Sequence, residues 1–467
     1  MKRIIALTLV VLAVFALFGC GQAEKEEFLL DFDTLSDSGK PDFDGTVFNV
    51  WSCTLDGDRE ALFSYVPGTL GSDLLYERIH DIEKEYNCTL NIQTDGTGRL
   101  TGVVPALLSG TYVGDVMFLS SPADSIRSGL LYPLDALVDY IDYNDEVKYG
   151  GYGLLEQGLY NSVPYTVSPA RWPGKQGTIS FGVFAINENI IMRYGLNDPR
   201  DYLENGLWNW DTFELCLPEF RIDDGSYKTT SVNITWSVLD LCMMNGVDYY
   251  SVQSDGTAVP ALDSKQSREA LDYCSRIFTQ YSDCVTFHGH DAMLPMFKNN
   301  EIVMTQTAVD HIIRFMSYDM DNYGIVPMPC GPHGTYGKWV TAHSENICLG
   351  IFYNTNDPIA SAMIVDRLCD PFKGYETDDE LMSFMSSIFF DDRDVALLMK
   401  LNEDARWQYW PIGSIYDFYT AATAQAKSGK SSSEIIEKYS GAAVQSIIKH
   451  VIPNVEFIEN YKAAHNG

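Results

Sequence analysis

Apolar positions in the first half of the chain switch between two spacings. Thr46 to Cys53 is mostly apolar or small and reads as a strand carrying Trp51 near its end. From Ser72 to Tyr86 the apolar residues Leu75, Ile79 and Ile82 fall near helical spacing. Cys88 to Thr94 alternates apolar and polar positions as a strand does, and Asp95-Gly96 turns the chain out of it. A short helix around Leu100 to Ser109 then precedes a buried strand, Asp115 to Leu119. Strands alternating with helices predict an α/β fold with a largely parallel sheet. In such sheets ligands gather beyond the carboxyl ends of the strands. Those ends are Trp51 to Asp58, Asp95 to Gly98 and Ser120 to Asp124.

Tyr160 to Ile186 breaks the pattern with Pro164, Pro169, Pro173 and several glycines, then a strand over Thr178 to Ile186. This stretch reads as a crossing between two lobes, because a chain this long exceeds what one core accommodates. The second lobe reads as mainly helical: Asn187 to Tyr194, Asp211 to Phe220, Ser264 to Tyr281 and Asp291 to Asn299, with Asp211 and Asp291 as candidate N-caps. A strand over Glu301 to Gln306, a helix from Asp310 and a strand over Tyr323 to Pro327 follow. Trp339 to Tyr353 would carry the chain back to the first lobe. Helices near Pro358 to Cys369, Glu380 to Ser387 and Asp394 to Leu401 would complete it.

The N-terminus has a different pattern. Lys2 and Arg3 precede an uncharged, mostly apolar run, Ile4 to Phe18, and then Gly19 and Cys20. The run is too short for a mature membrane span, which needs roughly 20 apolar residues, and reads as a secretory signal. Leu17-Phe18-Gly19-Cys20 resembles the lipobox of bacterial lipoproteins, which implies residues 1–19 as signal peptide and Cys20 as the lipidated N-terminus. Residues 20–44 are rich in Glu, Asp, Ser and Lys without periodicity and read as a flexible stalk. No later stretch is apolar and uncharged for long enough to span a membrane.

The formal charge is −32, and cleavage would remove two bases and no acid. Such a surface disfavours nucleic acid and anionic lipid as partners. Beyond Cys20 the cysteines are Cys53, Cys88, Cys216, Cys242, Cys274, Cys284, Cys330, Cys348 and Cys369. An odd number without any C-x-x-C fits neither a disulfide framework nor a zinc site, and several read as small buried hydrophobes.

Several motifs, in this order, resemble the extracellular solute-binding proteins of ABC importers that take sugars and oligosaccharides. Gly114-Asp115-Val116-Met117-Phe118 followed by Ser128 to Leu134 looks like that family's strand, ligand loop and G-x-L-x-P-L helix start. Phe184 to Asn187, Tyr194-Gly195-Leu196 and Trp208 to Phe213 resemble its N…G…P…W-T-W-D-x-F stretch. Phe297 to Thr305 is similar to F-x-x-G-x-x-A-M, with Asn300 where glycine is usual. Ile325 to Pro329 resembles the strand that follows, and Ala426 to Glu434 the G-x-x-S-x-E-E helix. The resemblance implies a two-lobed clamp with a ligand cleft between the lobes, several crossings, no cofactor and no catalysis. It would act as a monomer that delivers a small solute to a membrane permease. The first lobe would comprise 45–160 plus 341–402, and the second 161–340 plus 403–467.

Sugars are held by aromatic rings on their C–H faces and by planar polar groups on their hydroxyls. The candidate ligand residues are therefore Trp51, Trp172, Trp236, Trp339, Trp407 and Trp410, with Asp95, Ser120, Ser121 and Asp124 at first-lobe strand ends and Gln306 and Asp310 in the second lobe. Lobe packing is the competing role for the tryptophans, and a solvated N-cap for Asp310. Trp208 and Trp210 read as packing residues. Leu119-Ser120-Ser121 stands where many sugar binders place an aromatic, which speaks against a maltose-like site. His288-Gly289-His290-Asp291 has ligand chemistry for zinc, but no other histidine lies near in sequence. G-x-S-x-G and H-E-x-x-H are absent. A surface glycan hydrolase or adhesion protein, or a binder of peptides, polyamines or another solute, are the alternative readings.

Overall fold

The structure, a computed structural model, describes residues 41–52, 68, 70–93, 104–119, 122–172, 182–225, 228–234, 238–317, 320, 322–340, 342–343, 348–403, 406–407 and 413–465. The expected signal peptide, residues 1–19, and Cys20 lie outside them. Both lobes belong to the unit Phe43–Gly467.

Strand β1 (Thr46–Ser52) and strand β2 (Cys88–Gln93) pair in parallel, from Thr46 opposite Cys88 to Trp51 opposite Gln93. The helix Leu70–Glu85 links them and buries Leu75, Ile79 and Ile82, the three residues its spacing singles out. β3 (Val116–Leu119) lies on the other side of β1, and all four of its residues are buried. A strand enclosed on both faces reads as a continuous apolar run. The chain next forms a hairpin of β4 (Leu159–Tyr160) and β5 (Val163–Pro164), and then β6 (Thr166–Val167).

The second lobe opens with β7 (Gly182–Asn187), fully buried, and the helix Glu188–Tyr194. Asn187 caps that helix through its side chain, and Gly195 closes it in the left-handed conformation. Trp210–Phe220 follows, capped by Asn209 in a reciprocal box with Thr212. Asn209 therefore takes the role expected of Asp211. β8 (Thr230–Asn233), a hairpin of β9 (Tyr250–Val252) and β10 (Ala258–Pro260), the helix Lys265–Gln280, β11 (Val285–Thr286) and the helix His290–Lys298 come next. Gly289, not Asp291, is the N-cap of the last of these. β12 (Ile302–Ala308) and β13 (Tyr323–Pro327) complete a five-stranded sheet of order β11-β8-β12-β7-β13, so this lobe is less purely helical than its sequence suggests.

β14 (Ala342–His343) lies in the return to the first lobe, where β15 (Cys348–Ile351) inserts between β3 and β6 to give the order β2-β1-β3-β15-β6. β16 (Arg406–Trp407) pairs in parallel with β14, so two passages of the chain lie side by side. The molecule is thus a two-lobed α/β protein crossed repeatedly by its chain.

The boundaries 160/161 and 402/403 divide these contacts poorly. β6 extends the first sheet beyond 160, and Trp172 stacks on Phe118 of β3 at 6.4 Å. The helices Asp378–Ser386 and Asp392–Glu403, expected in the first lobe, lie on the second. Tyr323 donates to the Ile388 carbonyl at 2.6 Å and packs edge-on against Phe389. Asp394 accepts the Ile325 N–H at 3.1 Å and pairs with the buried Arg200 at 3.2 Å. Arg200 also reaches Glu188 at 2.5 Å and Asp198 at 2.7 Å, and it passes so close over Gly324 that a side chain there would collide with it. Burial opposes the Arg200 charge, but Asp198, Asp394 and Glu188 outweigh it and hold the guanidinium above its ordinary pKa. Burial also pushes Asp394 up to about 7, against the pull of Arg200, because one guanidinium is shared among several carboxylates.

Candidate functional site

Strand directions define where a ligand would sit. β1, β2, β3 and β6 run one way and β15 the other; β8, β11, β12 and β13 run one way and β7 the other. The chain leaves the first sheet at the carboxyl end of β6 and enters the second at Gly182 of β7, opposite Ala308 at the carboxyl end of β12. It returns from the carboxyl end of β13 to Cys348, opposite Leu119 at the carboxyl end of β3. Both crossings therefore join one carboxyl rim to the other, and the cleft lies between those rims.

On the first rim, Trp51 is half-buried at the end of β1, and its Nε1 donates to the Val113 carbonyl at 2.8 Å. Gly114 makes room for the indole: a Cβ there would fall 2.7 Å from Trp51 Cδ1. Gln93, at the end of β2, donates to Asn49 at 3.0 Å. On the far side of this rim the buried Gln157 donates to Ser168 at 2.5 Å. Burial pushes the nearby Cys348 thiol up to about 12, so it stays protonated and acts as a small apolar group. On the second rim, Asn233 is fully buried at the end of β8, accepts the His288 N–H at 2.7 Å and donates to the His288 carbonyl at 3.2 Å. Trp51 and Gln93 are only partly buried at these strand ends, whereas Gln157, Ser168 and Asn233 are buried within the protein.

The remaining candidates fall elsewhere. Trp172 is fully buried between Phe118 and Phe372, and its Nε1 donates to the Leu368 carbonyl at 3.1 Å; it is a wedge in the first lobe with no face for a ligand. Trp339 is buried in the second-lobe core, edge-on to Tyr336 at 5.1 Å. Gln306 is fully buried and donates to Asp240 at 2.6 Å. Asp124 lies in the short helix after β3, with its side chain 84% exposed and paired with Arg127. Asp310 lies in a helical turn directly after β12, and Trp407 is in β16, opposite His343. Asp95, Ser120, Ser121, Trp236 and Trp410 lie outside the described residues. Trp208 donates to the Pro327 carbonyl at 2.8 Å, and Trp210 stacks on Tyr273 at 3.9 Å, so both pack as expected.

Sequence reasoning did not single out the buried polar residues Asn233, Gln157 and Ser168. Asn233 closes a four-residue strand too short for alternation to reveal. Gln157 sits in a single helical turn, Glu156–Gly158. Among the described residues no group of three or more His, Cys, Asp or Glu is arranged to hold a metal, and no helix is long and apolar enough to cross a membrane.

No protein-family model matches the sequence, and no curated protein matches it. Solved structures do match in fold. An ABC substrate-binding protein of Listeria monocytogenes, in complex with cycloalternan, has a TM-score of 0.61 at 13% identity over 87% of this chain and 99% of its own. The sugar-binding protein MalE of Xanthomonas citri has a TM-score of 0.61 at 12% identity, over 89% and 99%. UgpB of Mycobacterium tuberculosis, in complex with glycerophosphocholine, has a TM-score of 0.57 at 16% identity, over 88% and 98%. The chain has the two-lobed α/β fold of these periplasmic binding proteins.

Proposed function

We propose that this protein is a substrate-binding component of an ABC importer, anchored through a lipid on Cys20, that captures a sugar or oligosaccharide between its lobes and delivers it to a membrane permease without chemistry. The observation that carries the reading is the pair of crossings that joins the two carboxyl rims, with the partly buried Trp51 and the Gln93 amide at strand ends of the first sheet. An indole face with amides suits a polyhydroxylated ligand, whose C–H faces stack while its hydroxyls find paired donors and acceptors. The fold is shared with proteins solved with cycloalternan and with maltotetraose, which supports the same ligand class here.

A second reading, a glycerophosphodiester ligand, is favoured by the likeness to the glycerophosphocholine-bound protein. A thermal-shift series with maltose, maltotetraose, cycloalternan and glycerophosphocholine separates the two. A ligand present at about 100 times its dissociation constant adds roughly 2.7 kcal/mol to the folded state. Stabilisation by the saccharides alone supports the first reading, and stabilisation by glycerophosphocholine alone replaces it with the second. Turnover of any of them by the purified protein would refute binding without chemistry.

A further inference from the structure

The last helices tie the two lobes together. The helix Ser432–Ser446 belongs to the second lobe, where Ile435, Ile436 and Ala443 enter its core. It runs on into a π-helical segment, Ile447–Val451, and a single 3-10 turn, Ile452–Asn454, with Pro453 inside it. Ile447 and Val451 still lie in the second-lobe core. One turn later Asn454, wholly buried, contacts the first lobe.

Its Oδ1 accepts the Ser162 N–H at 2.9 Å, and its Nδ2 donates to the Leu159 carbonyl at 3.3 Å and the His450 carbonyl at 3.1 Å. Ser162 returns a hydroxyl bond to the Pro453 carbonyl at 2.7 Å. The final helix, Val455–His465, then lies along the first lobe, with Tyr461 donating to Glu146 at 3.2 Å and Lys462 over the Tyr152 ring at 4.9 Å. Its Glu459 also accepts from Tyr250 of the second lobe at 3.5 Å.

The β4–β5 hairpin is unusual at the point where it is held. Asn161 and Ser162 both have positive φ, 50° and 61°, the pair of angles a two-residue primed turn demands. Asn-Gly is the comfortable sequence there, whereas Ser162 carries a Cβ into the left-handed region. That same residue presents both its N–H and its hydroxyl to the C-terminal segment. Helix irregularities of the π and 3-10 kind, with a proline, are the places where a helix yields most readily.

We propose that Ile447–His465 is a conformational strap: Asn454 anchors it on the β4–β5 turn of the first lobe, and the irregular segment before it restrains rotation of one lobe against the other. This rests on the reading of the molecule as a clamp. Because the test uses unliganded protein, it is independent of which ligand the clamp takes.

Small-angle scattering of the full chain would compare the wild type with Asn454→Ala and with Ser162→Gly, which relieves the left-handed serine and deletes the hydroxyl bond. Hydrogen exchange at residues 159–165 would report whether the anchor is released. The expected result is a larger radius of gyration in both variants, with faster exchange at the hairpin and unchanged far-UV circular dichroism. Scattering curves that superimpose on the wild type would overturn the proposal, whether or not exchange at the hairpin accelerates. Should Asn454→Ala lose its circular dichroism, Ser162→Gly decides the question alone.

Discussion

Two tryptophans show how much depends on a few neighbouring atoms. Trp51 stands over Gly114 with part of its ring exposed, whereas Trp172 is closed in by Phe118, Phe372 and the Leu368 carbonyl. Replacing Trp51 with Ala is expected to weaken binding of the stabilising ligand at least about tenfold, or about 1.4 kcal/mol, with a smaller loss of stability than at Trp172. Trp172→Ala should instead cost about 3–5 kcal/mol of folding stability through the cavity it leaves. Isothermal titration and urea unfolding on both variants check this, and equal affinity losses would contradict the assignment of roles. Sequence places Trp51 at a strand end because strand and residue are contiguous. It cannot separate Trp51 from Trp172, since the groups enclosing Trp172 come from distant stretches of the chain. Gln306 fails for a related reason: its partner Asp240 lies on a helix distant in sequence, and only folding brings them together.

Local signals survive best in the elements. The helix Ser432–Ser446 begins at Ser431 with a reciprocal Glu434 contact, and Thr377 with Glu380 does the same for Asp378–Ser386. Asp211 and Asp291 mislead because Asn209 and Gly289, two residues earlier in each case, already start the helix. Assignment of helices to lobes is less legible. Asp392–Glu403 joins the second lobe through the buried Asp394–Arg200 contact, which no periodicity predicts. That contact carries a pH signature. The folded pKa of Asp394, about 7, lies above its ordinary 3.8, so the folded state binds the proton more tightly than the unfolded chain. Its contribution to stability is present in full below the ordinary value and is lost as pH rises through about 7. The stability of the wild type relative to Asp394→Asn should therefore fall between about pH 4 and pH 7.5, by about 1.4 kcal/mol for each tenfold difference in proton affinity. Urea midpoints across that range measure it. A rising difference would mean that Arg200, rather than burial, governs the ionisation of Asp394.

The whole molecule carries 64 acidic against 32 basic side chains, and clusters such as that around Arg200 and Arg393 concentrate the excess. Net repulsion of this kind is screened by salt. Raising NaCl from about 10 to about 150 mM is expected to raise Tm by roughly 1–3 °C, as differential scanning fluorimetry would show; a fall would indicate that specific ion pairs outweigh the repulsion. The eight described cysteines are all buried and free, so no cross-link offsets that repulsion among them. The two-lobed plan is legible in sequence, because strand-helix alternation and its interruption at Tyr160 to Ile186 are long-range patterns made of local signals. The cleft is not, since its two rims are brought together only by the crossings.

The position of β15 has a consequence for the order in which the protein can be made. It fills the slot between β3 and β6, two strands separated by fewer than 50 residues, yet it arrives only at Cys348. Until then β3 presents an open edge of apolar strand, the kind of surface that invites mispairing. The first lobe is finished later still, when the final helix reaches Glu146 and Tyr152. Neither lobe is a single uninterrupted segment of the chain. The first lobe is therefore expected to reach its stable structure only when nearly all of the polypeptide has been synthesised.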